Sequence, residues 1–339
     1  MKTADFDYVL PPGFIAQTPA EPRDHSRLMV LSRNGSLLEH RRFHDLCGYL
    51  RDGDLIVCND SRVIPARLLG SKAGTGARVE VLLLRRLEPG VWEALARPGR
   101  RLKPGSIIEI GESPDLRVEV IEKRANGSFA VELPDEDAID SAGMVPLPPY
   151  IREPLADAGR YQTVFSHIKG SVAAPTAGLH FTPELMDRIR KKGVHFAFIT
   201  LHLALDSFRP VQAEDPLDHV IHSEAGEITE ETADAIMRAK REGRRVVCVG
   251  TSSVRMVEHS AKLNGGVVMP FAGWVDLFIV PGHRFHVADV MVTNFHLPRS
   301  TLLMLVSAFA GRERILDAYR AAVENGYRFY SFGDAMLIL

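Results

Sequence analysis

The feature that most constrains this chain is a change of hydrophobic period partway along it. Across residues 62–133, short apolar or alternating runs recur: VIPARLLG, RVEVLLL, VWEALA, SIIEI, LRVEVIE and SFAVEL. Turn residues separate them, at Gly74-Thr75-Gly76, Glu88-Pro89-Gly90, Lys103-Pro104-Gly105 and Asn126-Gly127. About six strands at such spacing predict a small closed or nearly closed barrel. Residues 134–154, with Pro146-Leu147-Pro148-Pro149, read as an extended linker, because each proline biases the residue before it away from the helical region.

On either side the pattern differs. Residues 27–31 and 55–58 read as strands with a short helix near 43–50 between them. After residue 160, strands and helices alternate: a helix at 183–192, a β-rich run at 194–203, and a helix at 231–241 that Thr229 can cap. A strand at 245–249 then runs into GTSSVRMVE, and one at 285–292 into TNFHLP. The segment at 300–310 is apolar on all sides and is expected to be a buried helix. Alternation of this kind predicts an α/β fold, a mixed, mainly parallel sheet with helices, plus an inserted small β-barrel domain. The expected domains are a discontinuous α/β catalytic domain (1–61 and 155–339) and a barrel with its linker (62–154).

Several classes are excluded early. No run approaches the roughly 20 apolar residues of a membrane span. The start, MKTADFDYVLPP, has acidic residues where a secretory signal would be basic, so a cytoplasmic protein is expected. Three cysteines far apart (Cys47, Cys58 and Cys248) make neither a disulfide framework nor a CxxC metal site. A net charge of −2 means that nucleic acid could be held only by a local patch. Residues 78–103 supply one candidate, with seven Lys or Arg against three Glu, and Arg238 to Arg245 (RAKREGRR) another. Either could equally be a solvated charged face.

Ligands of open α/β sheets bind beyond the carboxyl ends of strands. Three predicted strands end in small, polar loops: Thr200-Leu201-His202, Gly250-Thr251-Ser252-Ser253 followed by Arg255, and Thr293-Asn294-Phe295-His296. A fourth polar segment is GSVAAPTAGLHFT, which contains His180. A helix opening on Gly250-Thr-Ser-Ser suits an anion, although serine and threonine there also act as plain caps. Ten of the 13 histidines lie after residue 165, and histidine moves protons near neutral pH. His219-Val-Ile-His222-Ser-Glu224 lacks the HExxH spacing and a second ligand set, so no metal is expected. No P-loop, dinucleotide-binding glycine loop or GxSxG elbow occurs.

Many segments, in order and correctly spaced, resemble the queuosine-pathway ribosyltransferase-isomerase family. They are FDYVLPPGFIAQTPAEPRDHSRLMVL, DLIVCNDSRVIPARLLG, PLPPYI, RYQTVF, GSVAAPTAGLHFT, HSE at His222 to Glu224, VGTSSVR, LFIVPGHRF, VTNFHLPRSTLLMLVSAFAG and YRFYSFGDAMLIL. The resemblance covers nearly the whole chain. It implies an α/β domain with an inserted barrel, and S-adenosyl-L-methionine as co-substrate without a metal. It implies transfer of the ribosyl part, not the methyl group, to 7-aminomethyl-7-deazaguanine at the wobble position of tRNA, giving epoxyqueuosine with release of adenine and methionine. A sulfonium acidifies the adjacent 5′ carbon, so a positioned base can start that sequence; adenine leaves, the tRNA amine attacks, and the epoxide closes as methionine departs.

On this resemblance, His180, His202, His222 and His296 are proton-transfer candidates, and Asp60 and Glu224 are bases or orienters of a histidine. Arg255 with Gly250, Thr251, Ser252 and Ser253 would hold the methionine carboxylate. Thr293 and Asn294 would bind ribose hydroxyls or adenine. Arg62, Arg67 and Asp334 are either functional contacts or structural ion-pair members. Arg85, Arg86, Arg100, Arg101 and Lys103 would meet tRNA, and the enzyme is expected to act as a monomer without a membrane partner. One departure concerns the loop after His202. The family often has glycines there, and this chain reads Leu203-Ala-Leu-Asp-Ser-Phe208; losing them restricts the backbone and its approach to a ligand. Two competing functions stay open on residues alone: a relative that cleaves or transfers from S-adenosylmethionine on an acceptor other than tRNA, for which product identity (adenine plus methionine, or S-adenosylhomocysteine from a methyltransferase) discriminates, and a non-catalytic RNA-binding module, which would release no adenine.

Overall fold

A computed structural model of the protein describes residues 1–111, 116–204, 210–221 and 223–339. The chain divides into two compact units, one of residues 1–61, 149–168 and 174–339, the other of residues 62–148 and 169–173. Residues 149–154, read as linker in the sequence, thus belong to the first unit.

The chain begins with strands β1 (Arg27–Leu31) and β2 (Leu38–Arg42), the short helix α1 (Leu46–Tyr49) and β3 (Leu55–Asn59). After β4 (Ser61–Val63) come the barrel strands β5 (Arg67–Lys72), β6 (Ala77–Glu88), β7 (Val91–Arg97), β8 (Ile107–Ile110), β9 (Arg117–Lys123) and β10 (Phe129–Glu132), and then the short α2 (Ile139–Ala142). Beyond β11 (Ile168–Ser171) the chain alternates: α3 (Pro183–Lys191), β12 (His195–Leu201), β13 (Glu224–Ile228), α4 (Glu230–Arg241), β14 (Val246–Val249) and α5 (Gly250–Leu263). It ends with β15 (Phe271–Val275), β16 (Val290–Asn294), α6 (Thr301–Ala310), α7 (Arg312–Glu324) and β17 (Ala335–Ile338).

The first unit is built on a mixed nine-stranded sheet in the order β15-β13-β12-β3-β14-β16-β17-β1-β2. Its centre, β12-β3-β14-β16, is parallel, while β2, β13 and β15 pair antiparallel toward the two edges. Strand side chains alternate between faces, and the core splits accordingly. Met29, Leu31, Leu55 and Val57 join one cluster under α4, α5, α6 and α7; Leu28, Val30, Ile56 and Cys58 join another with Phe43, Phe181 and α3. The mainly apolar α6 is buried along most of its length, as its composition requires. Thr229 caps α4, its side chain accepting from the Thr232 N–H. No helix among the described residues is long and apolar enough to cross a membrane.

The second unit is a closed six-stranded barrel, β10-β7-β6-β5-β8-β9, with inward Val81, Leu83, Ile108, Ile110, Val118 and Val131 buried. Two glycines make closure possible. Gly127 takes φ +83° in the β9–β10 turn, a conformation that suits glycine. At Gly70 a Cβ would stand 2.2 Å from the Glu109 carbonyl oxygen, so only glycine allows β5 and β8 to approach as they do.

One expected strand is much shorter than its apolar run. The 285–292 segment pairs only from Val290, because the buried Glu258 carboxylate takes the backbone N–H groups of His286, Val287 and Ala288 at 2.9, 2.9 and 3.0 Å. Donors spent on a side chain are withdrawn from the sheet ladder.

Candidate active site

Strands β14 and β16 are parallel neighbours, so their carboxyl ends deliver two loops side by side, as in other open α/β sheets. A cavity, partly open to solvent, lies there. One wall is the start of α5, with Gly250, Thr251, Ser252 and Arg255; the other is Thr293, Asn294, Phe295 and His296 at the end of β16. Pro175, Thr176 and Ala177 close a third side, and Tyr150, Tyr330 and Ser331 a fourth. All of these residues belong to the α/β unit.

The α5 end is built for a polar ligand. Gly250 has φ +86°, which turns the chain abruptly from strand to helix. The first turn of a helix leaves backbone N–H groups without intrahelical partners. Ser253 is committed elsewhere, its hydroxyl donating to the Val249 carbonyl at 2.7 Å. Thr251 and Ser252, by contrast, line the cavity.

The β16 end is built for hydrogen bonding without charge. Thr293 Oγ1 meets His296 Nε2 at 2.8 Å. Burial lowers the His296 imidazole to about 3, so the ring is neutral at neutral pH. Its backbone is clamped as well, the amide donating to Tyr319 Oη at 2.9 Å and the carbonyl accepting from Tyr8 Oη. Asn294 Oδ1 is buried and has no partner among the described residues. An unpaired buried acceptor costs about 1–3 kcal/mol, which makes one bordering a cavity a ligand contact in waiting.

Arg255 is a different kind of wall. It is buried, ion-paired through Nη1 with the equally buried Glu224, and its Nε donates to the Leu277 carbonyl at 3.2 Å. Glu224 Oε1 also accepts from the Ala204 N–H at 3.2 Å. The guanidinium therefore reaches the cavity with its charge balanced and its position fixed.

The family model described as "Queuosine biosynthesis protein" matches residues 3–338. The chain belongs to the queuosine biosynthesis protein family. The S-adenosylmethionine:tRNA ribosyltransferase-isomerase of Dehalococcoides mccartyi strain CBDB1 is 54% identical over 343 residues, covering 100% of both chains. The protein of the same name from Moorella thermoacetica is 54% identical over 344 residues, again with 100% of both covered. Among solved structures, the S-adenosylmethionine tRNA ribosyltransferase of Thermotoga maritima is 41% identical and has a TM-score of 0.58, covering 99% of this chain and 100% of its own. Members of the queuosine biosynthesis family so similar to this chain are named as transferases and isomerases, and this chain is an enzyme of that type.

Within this queuosine-family fold the other predicted residues fall at different distances from the cavity. His180 stands behind its wall, buried, with Nδ1 at 2.8 Å from Ser26 Oγ and Nε2 at 3.2 Å from Asn294 Nδ2. Burial, with smaller effects from Arg328 and Arg23, lowers its imidazole to about 3. His202 follows β12 and is not part of the cavity wall; its Nδ1 is buried without a partner among the described residues, and burial lowers its pKa against the opposing pull of Glu224. Asp60 directly follows β3 and accepts from Thr200 Oγ1 at 2.7 Å; burial raises its carboxyl against that bond. Asp334 is a backbone clamp, accepting from the amides of Arg27 and Arg328 at 2.8 Å each. Arg62 belongs to the barrel unit. His222 and residues 205–208 of the altered loop lie outside the described residues.

In the barrel, Arg85 pairs with Glu93 at 2.6 Å and Arg86 with Glu136 at 2.5 Å. Arg100, Arg101 and Lys103 are exposed. Among the described residues no group of three or more His, Cys, Asp or Glu is placed to hold a metal.

Sequence reasoning missed Tyr150, Tyr330 and Ser331. Tyr150 Oη bonds Ser331 Oγ at 2.6 Å, and the Tyr150 and Tyr330 rings meet edge to face at 4.2 Å. All three lie in the segments PLPPYI and YRFYSFGDAMLIL, which carried part of the family resemblance. Nothing local in those segments tells that Tyr330 adopts φ +75°, a conformation rare for non-glycine residues and enriched at functional sites.

Proposed function

We propose that this enzyme transfers and isomerises the ribosyl moiety of S-adenosyl-L-methionine onto 7-aminomethyl-7-deazaguanine at the wobble position of tRNA. The product is epoxyqueuosine-tRNA, with adenine and methionine released. One observation carries the reading: a single cavity joins the Thr251–Ser252 helix start, suited to a carboxylate, to Asn294 and Thr293, suited to nucleoside hydroxyls or amines. A sulfonium nucleoside has both ends. Gly250, Thr251 and Ser252 would hold the methionine carboxylate beside Arg255. His296 is the proton-handling candidate within the cavity; Glu224, His202 and Asp60, which do not line it, are the further base or orienter candidates. The reading calls for S-adenosyl-L-methionine as co-substrate and no metal, and for a monomeric cytoplasmic enzyme.

Incubation of the purified protein with S-adenosyl-L-methionine and tRNA bearing the aminomethyl base should release free adenine and add mass to that one nucleotide. Release of S-adenosylhomocysteine, or no change in the cofactor, would overturn the reading. The exposed Arg100, Arg101 and Lys103 would meet tRNA phosphates. Their triple replacement by Ala should raise the KM for tRNA about tenfold near 0.15 M salt, with a shallower salt dependence than the parent and an unchanged KM for S-adenosyl-L-methionine. An unchanged salt slope would place the tRNA contact elsewhere.

A further inference from the structure

The Asn294 amide stands in one orientation, and its neighbours decide which. Its nitrogen lies 3.1 Å from the Tyr330 carbonyl oxygen. A carbonyl can only accept, so this position must be the NH2 group and not the oxygen. The second N–H of the same nitrogen points at His180 Nε2, 3.2 Å away. His180 Nε2 is then an acceptor without a proton, and Nδ1 carries the hydrogen that is given to Ser26 Oγ at 2.8 Å. The imidazole is stacked on Phe43 at 4.9 Å, which holds its plane. Both donors of Asn294 are thereby consumed by the protein, and Oδ1 is left as a buried acceptor with no partner among the described residues, on a residue that lines the cavity.

We infer that His180, held by Ser26, is a positioning residue that locks the Asn294 amide with its oxygen toward the ligand, so that this point of the cavity selects a nucleoside N–H or O–H donor and rejects an acceptor. The inference rests on the function proposed above and deepens it. It separates His180 from proton transfer: the ring is a neutral acceptor whose remaining hydrogen faces Ser26 and not the cavity. Tyr330 is the third member of the lock, since its left-handed backbone (φ +75°) belongs to the same residue whose carbonyl receives the first Asn294 N–H. The selected donor is an exocyclic amine on the purine or a hydroxyl on the ribose, and the two are separable by experiment.

The test is calorimetric binding without turnover, using 5′-methylthioadenosine, its counterpart lacking the 6-amino group, and its 2′- and 3′-deoxy counterparts. The parent protein should bind one of the three altered probes at least tenfold more weakly than 5′-methylthioadenosine, and the one it rejects identifies the donor. His180→Phe keeps the ring but removes the acceptor and frees the amide to turn. It should abolish that discrimination, while His180→Gln, which can still accept from Asn294, should keep most of it. Ser26→Ala is the gentler variant should His180→Phe not fold, and it should weaken the discrimination by releasing the tautomer. Folded His180→Phe or Ser26→Ala protein with the parental discrimination ratio would overturn the inference. So would a pH–rate profile in which His180→Phe removes one limb, since that is the mark of a proton carrier. Adenine release by the parent protein reports on the proposed function separately, so a turnover-competent enzyme with intact discrimination in every variant sinks only the inference.

Discussion

Glu224→Ala is expected to destabilise the α/β unit by about 3–5 kcal/mol, because it leaves the Arg255 guanidinium buried and uncompensated. The pair is deep, with side-chain exposures of 7% for Arg255 and 0% for Glu224, so water cannot replace the lost carboxylate. Backbone carbonyls of Leu277 and Val275 accept from the guanidinium, but they carry no charge to balance it. Replacing both partners together, as in Glu224→Leu with Arg255→Met, should recover much of the stability, since an apolar pair of similar volume avoids the desolvation cost. The double variant should nevertheless release little or no adenine, because the wall of the cavity has lost its only fixed cation among the lining residues described here. Scanning calorimetry and an adenine-release assay on the three proteins check both halves. A single variant melting within a degree of the parent would refute the account of the pair, and an active double variant would remove Arg255 from the site.

The second large effect is on pH dependence. Glu258 is fully buried in α5, and its carboxylate holds the 286–288 backbone through three N–H bonds. Burial pushes its pKa up, but the approach of His283 and the three backbone donors push it down by more, so it lies below the ordinary value. For a depressed carboxylate the sign is fixed. The group contributes its full stabilisation above the ordinary value near 4.3 and loses it as pH falls through the lower folded value. Glu258→Gln keeps one acceptor oxygen but points an NH2 group at a backbone donor. The expected cost is about 2–4 kcal/mol at neutral pH, since hydrogen bonds to charged groups contribute about 1.5–3 kcal/mol each and do not add fully. The gap in melting temperature between parent and variant should be flat from about pH 8 to pH 6 and should narrow below about pH 4. A gap that widened in acid would reverse the assignment.

Both predictions concern carboxylates whose importance no local pattern announces. Glu224 was visible in the sequence as part of the HSE segment, but as a base or an orienter of histidine. Its partner Arg255 lies 31 residues on, and only the crossing of β13 by α5 brings them together. Glu258 had no role in the sequence reading. In the helix it looks like any solvated acid, and the strand it trims was expected to begin five residues earlier.

What the amino-acid order determined by itself was the class of each segment and the loops where chemistry could sit. Period-two runs with turn signals at 62–133 specify strands, and the apolar run at 300–310 specifies a buried helix, because these patterns bury hydrophobic surface in only one way. The strand-end loops at Gly250 and Thr293 were legible for a related reason: small and polar residues directly after a buried strand have no packing role. Tertiary structure alone decided which of those groups share a cavity. It placed Thr251, Asn294 and His296 in one wall-to-wall space, turned Ser253 back to its own helix, and set His180 behind Asn294 rather than beside the ligand. Hydrogen-bond direction, burial and the left-handed backbone of Tyr330 depend on residues distant in the chain, and no local spacing encodes where such partners will stand.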